Sequence, residues 1–343
     1  MKLGMKFGLQ VSLVLVAFLG LIIVVTTFQF PPVDTVQRGF RGTAMVEMLH
    51  PATTNALLAA NTVPAPYPQI PAVGPKAGAV YKNVQVLGDL SAGQFTRLMA
   101  AITTWVAPQQ GCTYCHEANL ASDALYTKRV ARRMIQMTMH INTDWTAHVQ
   151  AVGVTCYTCH RGQPVPSNIW FNNPGDAHFT GMAETQMGAG HPTPVAGDSS
   201  LPFDPYTPFL EQDNNIRVAG TTALPTGNRQ SIKHTEWTYA LMMNFSQSLG
   251  VNCTYCHNTR QFSSWEQSTP QRATAWYGIR MVRDLNDAYL NSLHGVFPPN
   301  RLGPMGDVPK VNCATCHQGV YKPLFGVSML KDYPELGPPP KAP

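Results

Sequence analysis

Cys112-Thr113-Tyr114-Cys115-His116, Cys156-Tyr157-Thr158-Cys159-His160, Cys253-Thr254-Tyr255-Cys256-His257 and Cys313-Ala314-Thr315-Cys316-His317 together use all eight cysteines of this 343-residue chain. Cys-x-x-Cys-His is the attachment signature of c-type haem. Two thiols add to the two vinyl groups on one porphyrin edge, and the adjoining histidine then sits under the iron. Structural disulfides, or zinc held by Cys and His, would not need a histidine directly after every second cysteine. Four covalent haems are expected, with Cys112 and Cys115, Cys156 and Cys159, Cys253 and Cys256, and Cys313 and Cys316 as tethers. His116, His160, His257 and His317 are their proximal iron ligands.

The composition fits a redox carrier. Charged residues are only 13% of the chain, and 27 glycines and 29 prolines imply long irregular connections. The formal charge of +5 is misleading. Each ferrous haem with two ionised propionates adds about −2, which brings the loaded chain to roughly −3. The basic balance therefore gives no argument for nucleic-acid binding.

Outward from the motifs, the N-terminus holds an uncharged run from Phe7 to Phe28. As a helix it spans about 33 Å, enough for a bilayer core. Lys2 and Lys6 precede the run and no basic residue follows until Arg38, so the bulk of the chain is expected on the periplasmic side of an inner membrane. The run ends in Phe28-Gln29-Phe30-Pro31-Pro32, which lacks the small residues of a cleavage site. Residues 1–30 are therefore read as a retained transmembrane anchor.

The motifs form an internal repeat. The expected architecture is mainly α with extensive loops, in two pseudo-symmetric haem-pair lobes at 91–165 and 234–325. A loop-rich connector at 166–233 joins them, 31–90 is an extended segment, and 326–343 is a C-terminal tail. Ser91 and Gln94 form a candidate capping box for a first helix. A second helix runs from about Tyr126 to Trp145 and on toward His148. A third includes Trp237 to Phe245, and a fourth starts at Thr269-Pro270.

Each helix carries methionine, and a thioether in the sixth position raises a haem's potential relative to a second imidazole. Met99, Met134 and Met242 lie 13, 22 and 11 residues before the first, second and third motifs. Met137 and Met243 are local rivals, and by the repeat Met281 is the candidate for the last haem. A methionine at helical spacing is also common core material.

Several stretches resemble the tetrahaem cytochrome c subunit of the photosynthetic reaction centre of purple bacteria. They are Gly39-Phe40-Arg41-Gly42, Tyr81-Lys82-Asn83-Val84, residues 153–162 and 268–286, and the tail from Lys331 to Pro338. The resemblance implies Met99, Met134 and Met242 as axial ligands of the first three haems. For the fourth it implies His148, 8 residues before the second motif, which returns Met281 to packing. Met134 and His148 are expected on one helix, about 21 Å apart along its axis. It further implies that Arg272 lies beside the third haem, where its charge raises the potential. The third haem would lie nearest the bacteriochlorophyll special pair and the first farthest out. The well-known members carry a lipid-modified N-terminal cysteine that this chain lacks.

The implied role is one-electron transfer, without substrate chemistry, from a soluble periplasmic cytochrome c or high-potential iron-sulfur protein to the photo-oxidised special pair. The partners are the membrane-embedded reaction-centre subunits, along which the apolar segment from Pro31 to Pro75 is expected to dock. A membrane-anchored tetrahaem quinol dehydrogenase is the alternative. Those proteins use histidine as distal ligand, and seven histidines lie outside the motifs here: His50, His140, His148, His178, His191, His234 and His294.

Overall fold

The structure, a computed structural model, describes residues 2–27, 33–37, 46–173, 195, 199, 201–218 and 231–338. Gly39–Gly42, Phe40 and Met45 of the expected docking segment, His178 and His191, most of the connector and the last five residues lie outside them.

Helix α1, Lys2–Thr27, contains a 22-residue stretch, Lys6–Thr27, of mean hydropathy 2.7. Among the described residues none covers it. By length and composition this helix is able to cross a membrane. A two-stranded antiparallel hairpin follows, β1 Asp34–Gln37 and β2 Val46–Leu49, with Asp34 opposite Leu49. After it come α2 Pro51–Ala60, α3 Ala77–Val80, α4 Ala92–Val106, α5 Tyr126–Asp144, α6 Thr146–Val149 and α7 Cys156–His160. The second half supplies α8 Ile232–Leu249, α9 Pro270–Asp284 and α10 Cys313–His317. The fold is mainly α with long loops.

Local chemistry sets the long helices. At α4 the Ser91 hydroxyl accepts from the Gln94 amide at 3.2 Å, and the Gln94 side chain accepts from the Ser91 amide at 3.3 Å. The expected capping box is therefore formed, and it satisfies two of the amides that a helix start leaves without partners. Helix α8 stops at Gly250, whose φ of 61° suits glycine alone without strain. Helix α5 is shorter than expected. It ends at Asp144, Trp145 turns out of helical geometry (φ −108°, ψ 28°), and His148 sits on the separate α6. The cause is a tertiary bond: the Trp145 indole donates to Asp284 Oδ2 on α9 at 2.9 Å.

The second half repeats several hydrogen bonds of the first. Thr127 and Thr269 donate to the carbonyls of Tyr114 and Tyr255, inside the first and third motifs. The Gly162 amide donates to Trp105 at the end of α4, and the Gly319 amide to Ser248 at the end of α8. Asn142 on α5 both donates to and accepts from Val154, two residues before Cys156. Asn286 does the same with Val311, two residues before Cys313.

Two apolar clusters hold these elements. One contains Leu98, Ala101, Trp105, Ile135 and Cys156 with Leu324, Met329, Tyr333 and Leu336 from the C-terminal segment. The other contains Leu241, Ile279, Val282 and Leu285 with Tyr206, Phe209 and Leu210 from the connector. The segments at 206–210 and 329–336 are thus core closures: Asn286 donates to the Leu210 carbonyl and Asn142 to that of Leu336. Tyr333 stands edge-on to Trp105 with ring centroids 4.6 Å apart. Such a buried pair adds about 0.5–1.5 kcal/mol beyond its area.

Candidate haem-binding site

The four motifs take two local forms. The first and third lie on short 3-10 turns, Gly111–Tyr114 and Cys253–Tyr255, after α4 and α8. The second and fourth are the helices α7 and α10, each begun by a reciprocal cap, Thr155 with Thr158 and Asn312 with Thr315.

Every motif histidine is tied in the same way. Nδ1 meets a backbone carbonyl a few residues on: His116 with Leu120 at 3.3 Å, His160 with Gln163 at 2.8 Å, His257 with Phe262 at 2.8 Å and His317 with Val320 at 3.0 Å. A carbonyl only accepts, so the proton is fixed on Nδ1 and the Nε2 lone pair is left for a metal. Outside the motifs His148 repeats the arrangement, with Nδ1 2.9 Å from the Thr274 carbonyl on α9. Burial pushes the imidazoles of His148, His160 and His257 below their usual range and that of His317 down to about 4. All four are therefore neutral near pH 7, as a ligand must be.

The rings of His148 and His317 lie edge to face, with centroids 6.2 Å apart at 67°. An iron held between two imidazoles by bonds of about 2 Å, each nitrogen about 1 Å from its ring centre, requires about 6 Å. The centroid separation of the pair matches that spacing. Met99, Met134 and Met242 lie on α4, α5 and α8, each partly buried. Met281 is buried in the apolar core among Ile279, Val282 and Leu285.

Arg272 opens α9 beside the third motif. Its guanidinium donates to the Ser264 carbonyl and the Ser268 hydroxyl, both at 2.6 Å, and stacks 4.1 Å over Trp265. It exerts an electrostatic pull on Cys256, and its charge lowers the pKa of His257.

Cys112, Cys115, Cys156, Cys253, Cys256 and Cys313 are free, but Cys159 and Cys316 are joined in a disulfide with Cα atoms 4.4 Å apart. A sulfur in that bond has no thiol for a vinyl group, so the bond must be open for both cysteines to serve as tethers. The cause of the bond is the packing of α7 against α10. Arg161, directly after His160, donates to the Cys316 carbonyl, and Gln318, directly after His317, donates to that of Cys159. Burial pushes the thiols of Cys115, Cys156 and Cys256 up to about 11 and that of Cys313 up to about 12. Such thiols are protonated near pH 7 when nothing is bound to them. Among the described residues no group of three or more His, Cys, Asp or Glu side chains is placed to hold a metal ion.

Sequence reasoning found the motif histidines because their signature is local. It missed the carbonyl partners, Thr274 and the pairing of α7 with α10, which depend on chain returns with no short-range pattern.

A mainly α chain with four Cys-x-x-Cys-His motifs and oriented imidazoles has the features of a c-type cytochrome. The family described as photosynthetic reaction centre cytochrome C subunit matches residues 29–337. The chain belongs to that family, whose members are electron carriers with covalently bound haem. It is 56% identical over 316 residues to the photosynthetic reaction center cytochrome c subunit of Rubrivivax gelatinosus, covering 91% of this chain and 86% of the relative. Against the subunit of Thermochromatium tepidum the identity is 52% over 307 residues, with 89% and 76% covered. Against that of Roseobacter denitrificans it is 44% over 323 residues, with 88% and 85% covered. The apolar α1 fits a membrane-anchored subunit.

Proposed function

We propose that the chain carries electrons one at a time to the photo-oxidised bacteriochlorophyll special pair of the membrane-embedded reaction-centre subunits, using four covalent haems. The donor is a soluble periplasmic cytochrome c or high-potential iron-sulfur protein. α1 stays in the membrane and the remainder lies on the periplasmic side. No substrate bond is made or broken.

When bound, haem iron supplies the one-electron chemistry. The chain's residues hold and tune it. The cysteine pairs fix each ring, and His116, His160, His257 and His317 present Nε2 from one side. Met99, Met134, Met242 and His148 would supply the second iron ligand of the first, second, third and fourth haem. Arg272 favours the reduced, more negative state of the third. Attachment at all four motifs requires the bond between Cys159 and Cys316 to be open.

The observation that supports this reading best is the opposed pair His148 and His317. The other described histidines outside the motifs are engaged or exposed. His50 caps α2, His140 lies between Asp144 and Asp284, His234 meets the Asn215 carbonyl, and His294 is exposed. That weighs against a largely bis-histidine quinol dehydrogenase.

Intact-mass analysis of the purified protein, with and without reductant, tests the haem count. A mass increment of four haems with no disulfide is expected. Two motifs each short of a thioether, with Cys159 and Cys316 recovered as one cross-linked peptide, would contradict it.

A further inference from the structure

Asn142 and Asn286 occupy equivalent places in the two halves, each clasping the residue two before a motif helix. Counted back from these anchors, Ile141 matches Leu285, Met137 matches Met281, and Ile135 matches Ile279. Ile135, Ile141, Ile279 and Leu285 are all buried. One step further back, Met134 matches Gly278. Where the first half has a candidate axial methionine, the second half has no side chain.

The vacated space is filled by His148. A Cβ at Gly278 would lie 2.6 Å from His148 Cε1, 2.8 Å from Nδ1 and 3.2 Å from Nε2. The first two distances are inside any real contact, so the imidazole lies flat on the bare backbone of α9. The ring cannot retreat cheaply. Its Nδ1 is bonded to the Thr274 carbonyl, one turn earlier on the same helix, and its other side faces His317. The glycine lies inside a helix, where it costs about 1 kcal/mol relative to alanine, so conformation alone does not favour it.

We infer that Gly278 is the positioning residue that admits His148 to the iron of the fourth haem. In this half of the repeat the methionine side chain is deleted from α9 and replaced by an imidazole from α6. The inference rests on the reading of His148 as an axial ligand. A methionine restored at 278 would then regain the sixth position once the imidazole is removed.

The test uses the full-length protein in its complex, with electron paramagnetic resonance, near-infrared magnetic circular dichroism and redox titration of each haem. His148→Ala alone should convert one haem from low spin and shift its potential. If every haem is unchanged, the ligand reading falls and the inference with it. Gly278→Ala should disturb the same haem alone; an undisturbed haem beside an active His148→Ala effect overturns the role of Gly278 and leaves the ligand reading intact. Gly278→Met combined with His148→Ala should restore a low-spin haem with a methionine-to-iron band. Its reduction equilibrium should rise at least tenfold over the parent, about 59 mV for a one-electron couple. A merely structural glycine predicts no new methionine ligation, and that result from the double variant overturns the inference even if Gly278→Ala does not accumulate.

Discussion

Arg272 brings a positive charge to the third motif, and its contacts among the described residues are carbonyls, a hydroxyl and an indole face rather than a carboxylate. Reduction adds negative charge at the iron, so the guanidinium stabilises the reduced form. Arg272→Leu is expected to lower the potential of one haem by tens of millivolts, where about 59 mV is a tenfold change. Arg272→Lys should recover most of the loss. A titration showing four unchanged potentials in Arg272→Leu would remove the residue from the account. By the same ligand logic, Met242→His should lower the potential of a single haem, because imidazole replaces thioether. At this scale the sequence was most readable where chemistry is local: two thiols and a histidine within five residues announce themselves. The tautomer of each histidine was not readable, because its carbonyl partner depends on how the following loop turns. Nor was Gly278, whose meaning appears only when α6 lies across α9.

Arg97 shows what holds the elements together. It is buried on α4, donates to the Tyr67, Pro68 and Asp332 carbonyls, pairs with Glu335 at 3.5 Å and stacks 4.2 Å over Tyr333. One side chain thus clamps the extended segment and the C-terminal closure onto the first helix. Arg97→Ala leaves the Glu335 carboxylate buried without its partner. We expect a loss of about 3–5 kcal/mol, seen as a lowered unfolding midpoint, with Arg97→Met milder. Equal midpoints for Arg97→Ala and the parent would contradict the clamp. Asn286→Ala should cost about 1–3 kcal/mol, because the Val311 amide and the Leu210 carbonyl both lose a buried partner. The sequence showed the start of α4 through its capping box and that of α9 through Thr269-Pro270. It did not show the core closures, since Asn142 and Leu336 are 194 residues apart and no periodicity reports on such a pair. The end of α5 was also hidden, because the break at Trp145 is imposed by Asp284 on another helix.

The molecule as a whole turns its apolar α1 and the exposed Val46, Met48 and Leu58 away from its own core. The neighbouring side of that segment is fastened to the body: Glu47 accepts from the Asn252 amide, and Asn61 from Arg161. One face therefore grips the cytochrome while Val46, Met48 and Leu58 remain exposed. Deletion of residues 31–60 should release the cytochrome from the reaction centre, as read by its loss from the purified complex. Full occupancy would assign the segment to internal packing instead. The central claim is that this chain is the immediate electron donor to the special pair. Flash-induced absorbance changes of detergent-solubilised membranes, at controlled potential, follow the bleached special pair and the haem α-bands together. The account predicts haem oxidation rising as the special pair recovers, with matched rates. Recovery with silent haems, and reduction of those haems by added quinol in the dark, would contradict it and favour the quinol dehydrogenase.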